Sequence, residues 1–362
     1  KSFLVHGRNS TIGYKDQIVD LKHVGSNLGV AYVVQGTVRR SSNRVRISVQ
    51  LLDATSGVSL WADRYDRELD DIFELQDAIS GSVVATIEPE LVRAEGLRLL
   101  SVPTNNMEAY DWLLRGQAHM HMLTSSDTEK GLLCFEKAIE LDPSYGRAYA
   151  FLTWPHRRHI MERGFEALSQ SKLLEIMNLT RLALRHGRDD PFVLGYSAAN
   201  IAYIKADYEE AIALNDRALS IHPNTVRFWA GRTRYACFAG ETHAAIEAGE
   251  HAISINKHEP AMWVVYGSLA DAHLQILDYE KAIACARQAL HHNDRLGPAH
   301  YVIAAAAAQL GKLSVAEDAI SSALAVNPGM TISNFHENYH VKRFKNLEAY
   351  LDGLQKAGLP DS

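Results

Sequence analysis

Along 44–51, Val45, Ile47, Val49 and Leu51 alternate with Arg44, Arg46, Ser48 and Gln50. A period of two gives one buried face and one wet face, so the segment predicts a strand. With the preceding "AYVVQGTVRR" it predicts a hairpin turned at Ser41-Ser42-Asn43. "TSG" at 55–57 makes a second turn and "VSLWADRY" returns as a third strand; "SFLV" at 2–5 is a further short strand candidate. Val19, Leu21, Val24 and Leu28 fall at mainly helical spacing, and Gly29 can end that helix. Asp70 or Asp71 can cap a helix from Ile72 to Arg93, with Phe73, Leu75, Ile79, Val83, Val84 and Ile87 on its apolar face. Pro89 should bend or interrupt it. These elements predict a small α/β domain over 1–100. Its sheet lacks cover at the edges, so a preceding N-terminal piece is expected to add a strand.

From Asn106 the period becomes helical and the chain repeats itself. "CFEKAIELDP" (134–143), "LNDRALSIHP" (214–223), "AGEHAISINK" (248–257), "CARQALHHND" (285–294) and "AISSALAVNP" (319–328) share an alanine: Ala138, Ala218, Ala252, Ala289 and Ala323. A weaker copy at 178–189 supplies Ala183, and the steps are 45, 35, 34, 37 and 34 residues. Seven residues before each anchor stands Gly131, Ala211, Ala245, Ala282 or Ala316, with Ile176 in the weak copy. Small residues there let paired helices approach closely. "DYEEAI" (207–212) and "DYEKAI" (278–283) open second helices with an aromatic that fills the gap between helices. Asn or Asp before Pro stops one helix pair and starts the next. A period near 34 with paired helices is the tetratricopeptide signature.

The array over 107–328 therefore resembles a tetratricopeptide-repeat superhelix. Residues 3–100, from "FLVHGRNSTIGYKDQIVDLK" through "WADRYDRELDDIFELQDAIS", resemble the TolB-N-like, FlgO-related α/β module that precedes such repeats in bacterial signalling proteins. "LEAYLDGLQKAGLP" at 347–360 is similar to the end of those proteins. The resemblance implies an α+β chain: a TolB-N-like domain over 1–100, then a superhelix of about six repeats with a C-terminal capping helix over 101–362. Family members often carry a class III adenylate/guanylate cyclase domain or a winged-helix domain upstream, and neither is present here. They usually have another strand and helix before the point where this chain starts. The implied role is a regulatory or scaffold region of a cytoplasmic signalling protein. Trp154-Pro155 departs from the pattern and should stop the first helix of the second repeat near Thr153; an irregular stretch is expected around 157–165.

Composition narrows the chemistry. A formal net charge of -6 argues against a dedicated nucleic-acid binder, and no apolar run reaches the ~18 residues of a membrane span. Arg39, Arg40, Arg44 and Arg46 are followed closely by Asp53, Asp63, Asp66, Glu68, Asp70 and Asp71, so pairing within the chain accounts for them. Cys134, Cys237 and Cys285 stand far apart inside helical patterns, as buried thiols do. No Gly-rich phosphate loop and no nucleophile elbow occurs. His336-Glu337-Asn338-Tyr339-His340 matches the zinc-protease string, but it follows the last repeat, and the two histidines are expected to help a terminal helix cover the open end. His156, His159, His291 and His292 are expected to be solvated or to line the groove.

No cofactor, metal or catalytic residue is expected. First (A) helices of tetratricopeptide pairs line a concave groove. The candidates to meet a protein or peptide there are Asn200, Tyr203, Arg232, Arg234, Tyr235, His273 and Gln275, because aromatics and arginines bury area and donate directionally. A homo-oligomer or a complex with an enzyme is the expected assembly, with no nucleic acid and no membrane insertion. Two alternatives stay open: an accessory part of an adenylate/guanylate cyclase or other enzyme, and a small-molecule or metal sensor.

Overall fold

The computed structural model describes residues 5, 8–14, 20–41, 44–68, 72–100, 108–122, 124–156, 168–257, 259, 261–338 and 340–362. The chain divides into two compact units, Lys1–Ala94 and Glu95–Ser362.

In the first unit, α1 (Arg8–Thr11) is a single turn and α2 (Leu21–Leu28) is capped at both ends. The Asp20 side chain accepts from the Lys22 N–H, and Gly29, at φ 64°, donates to Gly25. Strands β1 (Tyr32–Ser41), β2 (Arg44–Asp53) and β3 (Ser59–Glu68) form an antiparallel sheet in the order β1-β2-β3. The alternation of 44–51 sets the register: Val45, Val49 and Leu51 are buried, and Val83 packs with Val49, Tyr65, Ile47 and Trp61. Val34 and Val38 of β1 stay exposed. Asp53 shapes the second turn by accepting from the Thr55 and Ser56 amides at 2.7 and 2.9 Å. Arg46 sits directly across from Asp66 and pairs with it at 2.6 Å, as the charge pattern implies. That pairing holds the Asp66 carboxyl below its ordinary pKa, first through the Arg46 hydrogen bond. The expected strand at 2–5 and the tip of the first turn lie outside the described residues, except that Val5 belongs to no strand.

Of the bend or interruption expected at Pro89, helix α3 (Ile72–Leu100) shows no interruption. It passes through Pro89 and continues beyond Arg93. A proline removes a single N–H from the ladder, and the turns on either side carry the helix across.

The second unit is a superhelix. Six helix pairs stand among the described residues: α4 (Ala109–His121) with α5 (Ser125–Leu141), α6 (Gly146–Leu152) with α7 (Gln170–Gly187), α8 (Pro191–Asn200) with α9 (Tyr208–Ile221), α10 (Val226–Phe238) with α11 (Thr242–Ile255), α12 (Met262–Gln275) with α13 (Tyr279–His292), and α14 (Gly297–Gln309) with α15 (Leu313–Val326). All six anchor alanines are 0% exposed. They also end the second (B) helices. The carbonyls of Ala138, Ala218, Ala252, Ala289 and Ala323 accept from the amides of Asp142, His222, Asn256, Asn293 and Asn327 at 2.9–3.3 Å. The partner positions Ala211, Ala245, Ala282 and Ala316 are likewise 0% exposed. A Cβ on Gly131 would lie 3.1 Å from the Gly116 carbonyl, so the first pair meets almost backbone to backbone. Neighbouring pairs interlock through rings: Phe135 stacks on Phe151, which meets Tyr196 edge to face at 4.7 Å. Second-repeat helix α6 ends at Leu152 with Thr153 as its cap, as Pro155 requires; 157–165 lies outside the described residues.

In four of the turns between A and B helices a left-handed residue stands just before the B-helix cap. Gly240 and Gly311 supply it at φ 79° and 72°, but Ala206 and Leu277 adopt it at φ 54° and 62°. A side chain in that region costs about 1 kcal/mol, and Leu277 is 44% exposed, so little burial offsets it. Leu277→Gly is expected to raise the thermal midpoint by about 2 °C. An unchanged or lower midpoint in a melt of the intact chain contradicts this.

Candidate functional site: a C-terminal strap on the A-helix wall

The C-terminal ends of α8, α10, α12 and α14 are not bare. After α15 the chain forms α16 (Ile332–Asn338), then 340–346 cross back over those helix ends, and α17 (Leu347–Lys356) packs on α14. Phe335 meets Tyr301 and Tyr350 edge to face at 5.2 and 5.4 Å. His340 stacks on Phe238 at 4.6 Å, and its Nδ1 lies 2.9 Å from the Tyr208 hydroxyl. Tyr203 closes a further side of this box at 5.4 Å. Arg343 lies over the Tyr208 ring and pairs with Glu209 at 2.6 Å. Val341 and Phe344 are buried, while Lys342, Arg343 and Lys345 face water. The Gln275 side chain accepts from the Lys345 amide at 3.0 Å, and its backbone carbonyl accepts from the Asn346 side chain at 2.8 Å. Gln309 donates to Ala349 and Asp352. We call 340–346 the strap.

Burial sets the electrostatics here. It pushes the His340 imidazole down to about 3, with the nearby Arg234 charge adding to the effect and a hydrogen bond to the Tyr203 backbone opposing it. The docked ring is therefore neutral. Behind it, burial raises Asp271 to about 7 against the pull of Arg234, whose Nη1 stands 3.7 Å away.

The seven expected groove residues separate into two groups. Tyr203 and Gln275 hold the strap, and Arg234 lies over the Phe238 ring that stacks on His340. The other four do not. Asn200 donates to Thr153 and Thr180 and ties the second repeat to the third. Arg232 pairs with Asp216 of α9, and buried His273 faces Asp278 at 3.7 Å. Tyr235 is buried against Gly231. Six of the seven are below 9% exposure, so they offer no open surface; polar residues on alanine-rich helices sit between repeats because close packing leaves little room elsewhere. Arg232 alone keeps partial exposure.

Sequence reasoning missed the strap. His340 lies beyond the end of α16 and turns into the aromatic box, so it does not share a helix face with position 336 and does not cover the open end. Helix α17 packs on the last A helix, and Phe335 of α16 meets Tyr301 there. Among the described residues no group of three metal-ligating side chains converges. Burial raises Cys134 and Cys285 to about 11 and Cys237 well upward, which makes all three poor nucleophiles. His292 stacks on Tyr266, and His186 on Tyr149, so two of the many histidines serve as packing rings.

No protein-family model matches the chain. A Rhizobium meliloti protein named "Putative adenylate cyclase 3" is 37% identical over 149 residues, which cover 41% of this chain and 25% of that protein. The chain thus matches about a quarter of the length of this curated relative. The APC/C hetero-tetramer Cut9-Hcn1 superimposes with a TM-score of 0.55 at 14% identity, over 75% of this chain and 48% of that one. The human IFIT1 dimer with m7Gppp-AAAA does so with a TM-score of 0.50 at 16% identity, over 76% and 65%. These likenesses bear on the helical repeats and show a tetratricopeptide-repeat superhelix, which the chain carries beside its own three-stranded sheet. Among the described residues no helix is long and apolar enough to cross a membrane.

Two expectations follow from the strap. A Cβ on Gly240 would lie 2.6 Å from the Arg343 carbonyl, whereas one on Gly311 meets nothing within 4 Å. Both glycines have positive φ, so Gly311→Ala measures backbone strain alone, about 1 kcal/mol. Gly240→Ala is expected to cost more and to expose Arg343 and Lys345 to trypsin; equal effects of the two variants contradict the strap geometry.

The second concerns pH. An imidazole with a pKa of about 3 when docked and about 6.5 when free favours docking fully above 6.5, and docking weakens as pH falls towards 3. The groups that face the ring are Arg234, Arg343, Lys342, Tyr203 and Tyr208. Asp271, behind Arg234, shifts in the opposite direction. Opening of the strap should rise about 30-fold between pH 7.5 and 5, read as tryptic cleavage after Arg343. His340→Phe should flatten that dependence; a slope that persists in this variant assigns the titration elsewhere.

Proposed function

We propose that this chain is a non-catalytic protein-interaction scaffold or regulatory module that binds a partner polypeptide along its A-helix wall. One observation carries the reading: the wall already holds an irregular stretch of polypeptide, using rings, an ion pair and backbone-directed amides. That is chemistry for gripping peptide, not for turnover. The three thiols have raised pKa values, and the one strongly shifted histidine is enclosed by aromatic side chains. The repeat fold supports the same reading.

A second reading has its own support. The named cyclase relative favours a regulatory part or accessory subunit of an adenylate cyclase, in which the repeats would report partner binding to a catalytic domain. Both readings put the polypeptide contact on the repeats.

Cross-linking the intact chain to co-purifying proteins, followed by mass spectrometry, separates the outcomes. The expected result is one partner at stoichiometric ratio whose cross-links map to A helices. Cross-links confined to B-helix faces or to 1–94, or release of pyrophosphate from ATP by the purified chain, contradict the reading.

A further inference from the structure

The strap is not needed as a cap. Helix α17 already covers α14, with Gly353 so close to Ala305 that a Cβ would lie 2.6 Å from its carbonyl. Residues 340–346 instead return over the third, fourth and fifth repeats, whose helices are each already flanked by neighbouring repeats. The contacts there are selective. One ring enters an aromatic box, one guanidinium meets a carboxylate and a ring face, and Gln275 accepts from the Lys345 backbone amide through its side chain and from the Asn346 side chain through its carbonyl. Each comes from a different strap residue and a defined place on the wall. Between these contacts Val341 and Phe344 are buried, while Lys342 and Lys345 face water. Such a pattern reads a segment by the spacing of its anchors together with two apolar side chains.

We propose that the strap is a resident ligand. The third to fifth repeats recognise a turn-forming segment of the form ring–aliphatic–x–arginine–phenylalanine–x–asparagine, and a partner segment of that chemistry binds by displacing 340–346. This rests on the scaffold reading above and names the partner's chemistry. The strap is tethered at both ends, through α16 and α17, so it competes at an effective concentration on the order of millimolar. A partner of matched chemistry then binds weakly until the strap is loosened, and the wall is kept covered in its absence.

The test uses the intact chain and a fluorescein-labelled synthetic peptide spanning Asn338–Tyr350, read by anisotropy. Substitutions His340→Ala and Arg343→Glu break the strap and leave the wall unchanged. The peptide should bind this double variant at least tenfold tighter than it binds the unaltered chain. A peptide carrying the same two changes should not bind. Adding Glu209→Arg to the variant should weaken the arginine-bearing peptide and favour the glutamate-bearing one. Equal affinity for the unaltered and strap-broken chains overturns the proposal, as does no binding to a variant whose circular dichroism and melt show it folded. If the double variant does not fold, Arg343→Glu alone carries the comparison, because Arg343 is 46% exposed; it should show at least a threefold gain. Should partner cross-links map to A helices while the peptide fails to bind, the scaffold reading stands and the resident-ligand proposal falls. Peptide capture with cross-links elsewhere gives the reverse.

Discussion

Five of the six helix pairs depend on two helices meeting at a side chain no larger than a methyl group, while the second carries buried Ile176 there. The anchor alanines and their partners seven residues earlier are fully buried, and in the first repeat two glycines bring the backbones together. Any larger group on that seam would spread the pair, and forcing extra carbons into such a contact costs about 1–3 kcal/mol each time. The same alanines set helix length, because their carbonyls accept the last amide before the chain turns. One residue type thus fixes both the separation of the helices and the point at which each B helix stops.

Close packing has a consequence for function. Polar residues on these A helices cannot all reach water: Asn200 donates to Thr153 and Thr180, Arg234 faces Asp271, and Gln275 donates to the Cys237 carbonyl. What remains available is the row of A-helix ends, where the turns need left-handed residues and the chain has least side chain. That row is where the strap lies, and Gly240 permits its backbone to come within reach. The strap is therefore a product of the seam: alanine packing clears the helix ends, and the cleared ends hold peptide.

The repeats were legible because their signal is periodic. Ala138, Ala218, Ala252, Ala289 and Ala323 recur at near-constant spacing, and burial follows that spacing. The hairpin was legible for the same reason, through Val45, Val49 and Leu51. The strap was not, since a single crossing has no period. Its residues, His340, Arg343 and Phe344, look like ordinary tail sequence until the wall they touch is in place. Of the groove candidates, Tyr203 and Gln275 touch the chain's own strap, and most of the others pack between repeats. The left-handed Asn346, at φ 55° just before α17, marks in the backbone where the crossing ends. In helix α3 a strong local signal, Pro89, does not interrupt the helix around it.

Native-state hydrogen exchange on the intact chain tests the central claim most directly, because it reads the seam and the strap separately. Amides on the alanine seam, such as that of Ala252, should exchange only through global unfolding of the repeats. The Lys345 amide, bound to Gln275, should exchange through a smaller local opening, protected yet well short of the global value. If Lys345 exchanges as freely as an unfolded amide, or only together with the seam, then the strap is either not docked or not separable, and the account is contradicted.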